Sequence, residues 1–162
     1  MIRRWMTLSP PDRLIGACKT ALARLEATGA DPPHVFAETG EVLFWLYAIG
    51  DTGHGNLLSP GFQWARHQYA HGNLITEAVE YQYGAVLGRM MLGSTPLGAP
   101  SVHRWTPREH IGTYPKAHDR TDLAADYDAR LAGKPVVATL WDELSELVAN
   151  VNPRDLAPWP KP

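Results

Sequence analysis

The chain has a single cysteine, Cys18, in 162 residues, so it can close no internal disulfide and can build no cluster of thiolate ligands. It also lacks any apolar run approaching the roughly 18 residues that a membrane-spanning helix needs. The stretch Met1-Ile2-Arg3-Arg4-Trp5-Met6 is basic, but it runs into Ser9-Pro10-Pro11-Asp12 rather than into the apolar centre of a secretory signal. These features predict a cytoplasmic protein with no membrane partner. Positive charge is not in excess either: 15 Lys and Arg stand against 17 Asp and Glu, a net charge of −2. That balance excludes a protein that coats nucleic acid through bulk charge, so any such contact must be local. The glycine-rich segment Asp51-Thr52-Gly53-His54-Gly55-Asn56 lacks the Gly-Lys-Ser/Thr of a phosphate-cradling loop and follows no strand, so it reads as a connection.

What is present is helical patterning, with 44% hydrophobic residues, enough for one domain with a core. From Ser9 to about Ala27 the apolar residues Leu14, Cys18, Ala21, Leu22 and Leu25 recur at intervals of three and four, and Gly29 and Asp31-Pro32-Pro33 end the element. This setting predicts that Cys18 packs in the core. Val35 to Ile49 is apolar over more than one face, as expected of a central helix in contact with several partners, with Glu38 and Glu41 as exceptions near its start. A third helix opens at Ser59 with Pro60 at its first position and closes near Gly72, beyond which Leu74, Ile75, Ala78 and Val79 continue a helical stripe. Residues 81–92 suit either helix or a short extended pair. Residues 93–121 are rich in Pro, Gly, His and Arg and read as an irregular insertion. Two further helices follow, Asp122 to Leu131 and Pro135 to Val148, and the chain ends in a Pro-rich tail. The predicted fold is therefore all-α, a helical bundle of about five helices with a long irregular insertion before the last two. One domain spans residues 1–152 and the tail spans 153–162.

The chemistry concentrates in Arg66-His67-Gln68-Tyr69-Ala70-His71-Gly72. The spacing Arg-x-x-x-x-His, with a polar residue directly after the arginine, resembles the motif of HEPN-family ribonucleases. Arg104 and His110 fit a looser version of that spacing, but Pro107 between them would break a helix. The resemblance implies a HEPN-like bundle in which Arg66 and His71 are catalytic and His67 supports them. It also implies a homodimer that brings both copies of the motif together. The implied activity is metal-independent endoribonuclease cleavage of RNA, of a toxin or defence type, with no cofactor and with a cognate antitoxin or regulator as a further partner. Some members keep the fold without the activity, so a dimerising, adaptor or antitoxin module is the alternative.

The residue chemistry stands beside that resemblance. An imidazole can move protons near neutrality, and a guanidinium stays charged and offers a planar fork to phosphate oxygens. Helical geometry places Arg66 and His71 about 140° apart around the axis, so a second subunit would complete the site. Glu38 and Glu41 are candidates for orienting Arg66 or His71, or else exposed acids near a helix start. Arg66 in a surface ion pair with Glu38, Glu41 or Glu77, with His71 capping the helix before Gly72, is the purely structural alternative. His67 and His71 have the i, i+4 spacing of metal ligands, but no further ligand cluster accompanies them, and no metal is predicted. In the insertion, Arg104, Arg108, Lys116 and Arg120 are candidate RNA contacts, with Trp105 and Tyr114 interleaved for base stacking.

Overall fold

A computed structural model describes residues 10–28, 32–51, 57–73, 75–79, 102–111 and 121–151. Five α-helices dominate: α1 (Pro10–Ala27), α2 (Pro32–Gly50), α3 (Pro60–Ala70), α4 (Thr121–Arg130) and α5 (Val136–Asn150). Two short strands, β1 (Thr76–Val79) and β2 (Val102–Trp105), and a 3-10 turn at Arg108–His110 complete the described elements. The all-α bundle of about five helices is thus the observed class, and all five predicted helices start and end close to the expected residues.

The helices pack as their apolar stripes require. α1 buries Cys18, Ala21, Leu22 and Leu25 against α2, and burial pushes the Cys18 thiol pKa up to about 12, leaving it a small apolar side chain. α2 touches α1, α3, α5 and β1, which is why it is apolar around most of its circumference. α5 lays Val136, Leu140, Leu144 and Leu147 into the same core. The tip of the bundle is aromatic: the Trp105 ring meets Phe62 edge-on at 5.7 Å, and Trp64 lies 4.5 Å from Tyr127. Trp105 Nε1 donates to Thr139 Oγ1 at 2.7 Å, and the Tyr127 hydroxyl donates to the Thr106 carbonyl at 2.7 Å, so each buried polar tip is satisfied.

Two sequence expectations are corrected here. Residues 76–79 were expected to extend a helical stripe, and they form β1, pairing antiparallel with β2 in the register Thr76 to Trp105 and Val79 to Val102. The insertion is accordingly not irregular throughout. Gly72, at φ +77°, ends the run of helix after α3, and Thr76 and Val79 are β-branched, which favours the pleat. β2 is held on its other edge too: Trp105 N donates to the Lys134 carbonyl at 3.0 Å and Gly133 N to the Trp105 carbonyl at 2.8 Å. The turn between α4 and α5, with Gly133 at φ +73°, therefore acts as the third edge partner of the hairpin. The ambiguous segment 81–92 and Tyr114 lie outside the described residues.

Candidate functional site

α3 is positioned from both ends. At its start Ser59 has the extended backbone of a cap residue and Pro60 occupies the first helical position, but the Ser59 side chain does not cap its own helix. Instead Ser59 N and Oγ donate to the two oxygens of Glu143 at 2.8 and 3.0 Å, and Gly61 N donates to Asp126 Oδ2 at 2.7 Å. Two carboxylates from α5 and α4 thus satisfy the Ser59 and Gly61 donors at the start of α3 and complement the positive end of its dipole. Gly61 suits this contact, because a Cβ there would lie 3.1 Å from the Tyr127 backbone, tighter than ordinary packing.

Glu143 is 5% exposed, and its burial raises its pKa against the opposing effect of the Ser59 hydrogen bonds. The folded protein therefore holds this proton more tightly than the unfolded chain. Between the ordinary glutamate value and the raised one, the native state binds more protons, so this group's contribution to stability falls as pH rises through that interval. Thermal melts across that range are expected to show a steeper loss of stability with rising pH in the wild type than in Glu143→Gln. Parallel curves would show that Glu143 does not titrate in this way.

At its other end α3 presents the motif. His71 is the exposed C-cap residue, and its N–H bonds back to the Gln68 carbonyl at 3.1 Å. The Gln68 side chain is buried and accepts from Asn73 Nδ2 at 2.6 Å, tying down the turn that follows. The rings of His67 and His71 lie 4.5 Å apart, edge to face, as their 40° separation around the helix dictates. Arg66 points instead towards α2, where its guanidinium carbon lies 3.9 Å above the ring of Tyr47. One turn later, Tyr69 crosses Gly40 and stacks on Phe36 at 4.5 Å. A Cβ at position 40 would overlap the Tyr69 ring, so this glycine gives the two helices their close approach.

The supporting acids lie elsewhere. Glu38 accepts from Arg24 Nε at 3.0 Å, and Glu41 is paired with Arg24 Nη2, so both belong to the α1–α2 interface rather than to Arg66 or His71. The cause is angular, since Glu38 and Glu41 sit about 180° and 120° around α2 from Tyr47. The Arg24 hydrogen bond holds the Glu41 carboxyl below its usual value, and Trp45 Nε1 adds a bond to the same group at 3.2 Å. Two of the insertion's candidate RNA contacts, Arg104 and Arg108, are likewise engaged within the fold. Arg104 Nη1 donates to the Gly133 carbonyl at 2.7 Å, stapling β2 to the α4–α5 turn, and Arg108 pairs with Asp128 at 3.1 Å. Trp105, expected to offer a face to bases, is fully buried. Lys116 and Arg120 lie outside the described residues.

Tyr47 is the site residue that sequence reasoning missed. Nothing local marks it, because it reads as one more apolar position of α2, and only the docking of α3 shows what it holds. A cleft of about 210 Å³ between Phe62, Leu131, Arg130, Lys134 and Glu143 lies near the opposite end of α3. Its buried acid already accepts both Ser59 donors, and its rim carries charges of both signs, so it offers no converging chemistry. Among the described residues no group of three or more His, Cys, Asp or Glu is arranged to hold a metal ion, and no helix is long and apolar enough to cross a membrane. Comparisons with protein-family models, with curated proteins and with solved structures returned no match.

Proposed function

We propose that this protein is a metal-independent endoribonuclease of the HEPN-like kind, acting in a toxin or defence setting, with Arg66 and His71 as its catalytic pair. The observation that supports it most is the end of α3: an exposed His71 with the His67 ring 4.5 Å away, on the same helix as a guanidinium fixed at 3.9 Å over Tyr47. In this reading His71 removes the proton from a ribose 2′-hydroxyl, and the 2′-oxygen attacks the adjacent phosphorus. Arg66 stabilises the charge that builds on the phosphate oxygens. The P–O5′ bond breaks, and the departing oxygen takes a proton from a second imidazole. The 140° divergence of Arg66 from His71 around α3 favours a two-fold dimer in which the partner's His71 supplies that proton. His67 then acts by orienting the His71 ring rather than by transferring protons.

The products test the proposal without knowledge of the natural RNA. End-labelled RNA is expected to be cut equally well with and without EDTA, leaving a 2′,3′-cyclic phosphate and a 5′-hydroxyl. The same strand with 2′-deoxyribose is expected to survive. Loss of cutting in EDTA, or cutting of the deoxy strand, would remove the roles assigned to Arg66 and His71 and point to a metal-activated water instead.

The cation–π contact of Arg66 is also what a structural arginine makes, and it favours a second reading, a non-catalytic dimerising, adaptor or antitoxin module. Absence of any cleavage of total cellular RNA by the purified protein would favour that module.

A further inference from the structure

We infer that Tyr47 is a positioning residue for Arg66: its ring holds the guanidinium by the face and leaves the N–H donors of the fork for a substrate phosphate. The inference rests on the ribonuclease reading for the identity of that phosphate, whereas the contact itself rests on the packing of α2 against α3. The guanidinium carbon lies 3.9 Å from the Tyr47 ring centroid, and both side chains are half-buried.

Arg66 is held differently from other arginines of the fold. Arg24 donates to Glu38 and is paired with Glu41, Arg104 donates to the Gly133 carbonyl, and Arg108 pairs with Asp128. Each directs N–H groups at an acceptor within the protein. Among the described residues, no carboxylate or carbonyl takes a hydrogen bond from Arg66, whose contact is with the ring. Stacking uses the flat face of a guanidinium and phosphate binding uses its in-plane donors, so the two can be made at once.

The height of the ring is set by the helix contact. Phe36, Gly40 and Tyr47 fall within a sector of about 40° on α2, and Arg66 and Tyr69 lie about 60° apart on α3, so all five belong to one face-to-face contact. Tyr69 fills the space over Gly40, where a Cβ would overlap its ring, and stacks on Phe36 at 4.5 Å. That contact fixes the separation of the two helices two turns away from Tyr47, and with it the distance from the ring to Arg66. A loose arginine must order its side-chain torsions as charge builds on the phosphate, whereas one stacked on a fixed ring is ordered beforehand.

The test combines cleavage kinetics with a signal from Arg66 itself, both on the full chain. Tyr47→Leu, which keeps apolar bulk and loses the π face, is expected to lower kcat about tenfold with little change in KM, because the misplaced cation is needed in the transition state. Tyr47→Phe keeps the face and is expected to recover most of the rate. In an Arg66→Ala background, Tyr47→Leu is expected to cost nothing further, since the ring acts through the guanidinium. Wild-type kcat in Tyr47→Leu, an equal loss in Tyr47→Phe, or a full additional loss in the Arg66→Ala background would overturn the inference. The Arg66 Nε–H resonance, assigned by its disappearance in Arg66→Ala, is expected to be shifted upfield by the ring current in the wild type and in Tyr47→Phe but not in Tyr47→Leu. If the wild type cuts no RNA, that ring-dependent shift removes the ribonuclease reading and keeps Tyr47 as the residue that orients Arg66. Absence of the shift from the wild type would overturn the positioning role whatever the activity.

Discussion

Arg66→Ala and His71→Ala are each expected to reduce RNA cleavage by a factor of about 10² to 10³ or more, the range for loss of one transition-state donor or one general base. Folding should hardly change. His71 is exposed at the end of α3, where substitutions typically move stability by about 0.5 kcal/mol or less, and the Arg66–Tyr47 contact contributes about 0.5–1 kcal/mol at a partly solvated site. His67→Ala should fall between wild type and His71→Ala, because its ring steadies His71 and is not expected to exchange protons with substrate. The measurement is an initial cleavage rate beside a melting curve for each variant. Full activity in either alanine variant would make the motif structural, as would a collapse of the melting temperature in His71→Ala.

The largest effect on stability is expected at Trp105. Truncation to alanine removes the ring that meets Phe62 and Tyr127 and leaves a cavity where the hairpin joins the bundle. The cost for such a change is about 3–5 kcal/mol, a large share of the roughly 5–15 kcal/mol that holds a domain together. The melting midpoint should fall by about 10 °C or more. Trp105→Phe, which keeps most of the apolar volume and loses the bond to Thr139, should cost far less. If Trp105→Ala melted like wild type while binding RNA more weakly, the ring would be a surface stacking platform and the burial described above would be incorrect.

The helices were legible in the sequence because each announces itself locally. Cys18, Leu22 and Leu25 mark one face by their spacing, Pro60 marks a start and Gly72 a stop, and Leu140, Leu144 and Leu147 trace the buried side of α5. The hairpin was not legible. Its strands have four residues each and are separated by more than twenty, and β2 reads Val-His-Arg-Trp, which looks like loop until the turn at Gly133 and Lys134 closes on its outer edge. The motif singled out candidate residues on α3, yet it could not show their neighbours. Glu38 and Glu41 were near enough in sequence to be plausible partners, but their positions around α2 turn them towards Arg24. The residue that does meet Arg66, Tyr47, carries no signal of its own.

The capping of α3 also bears on when this helix is secured during synthesis. Its two acceptors come from positions 65 and 84 residues downstream of the donors they satisfy, Asp126 for Gly61 and Glu143 for Ser59. A chain emerging from the ribosome therefore exposes the Arg66–His71 segment long before the carboxylates that anchor it exist. Loop closure over such distances comes late, after the local α1–α2 pair has had time to form. The helix that carries Arg66, His67 and His71 is thus among the last to be secured, its start left without its carboxylate anchors until α5 has been made.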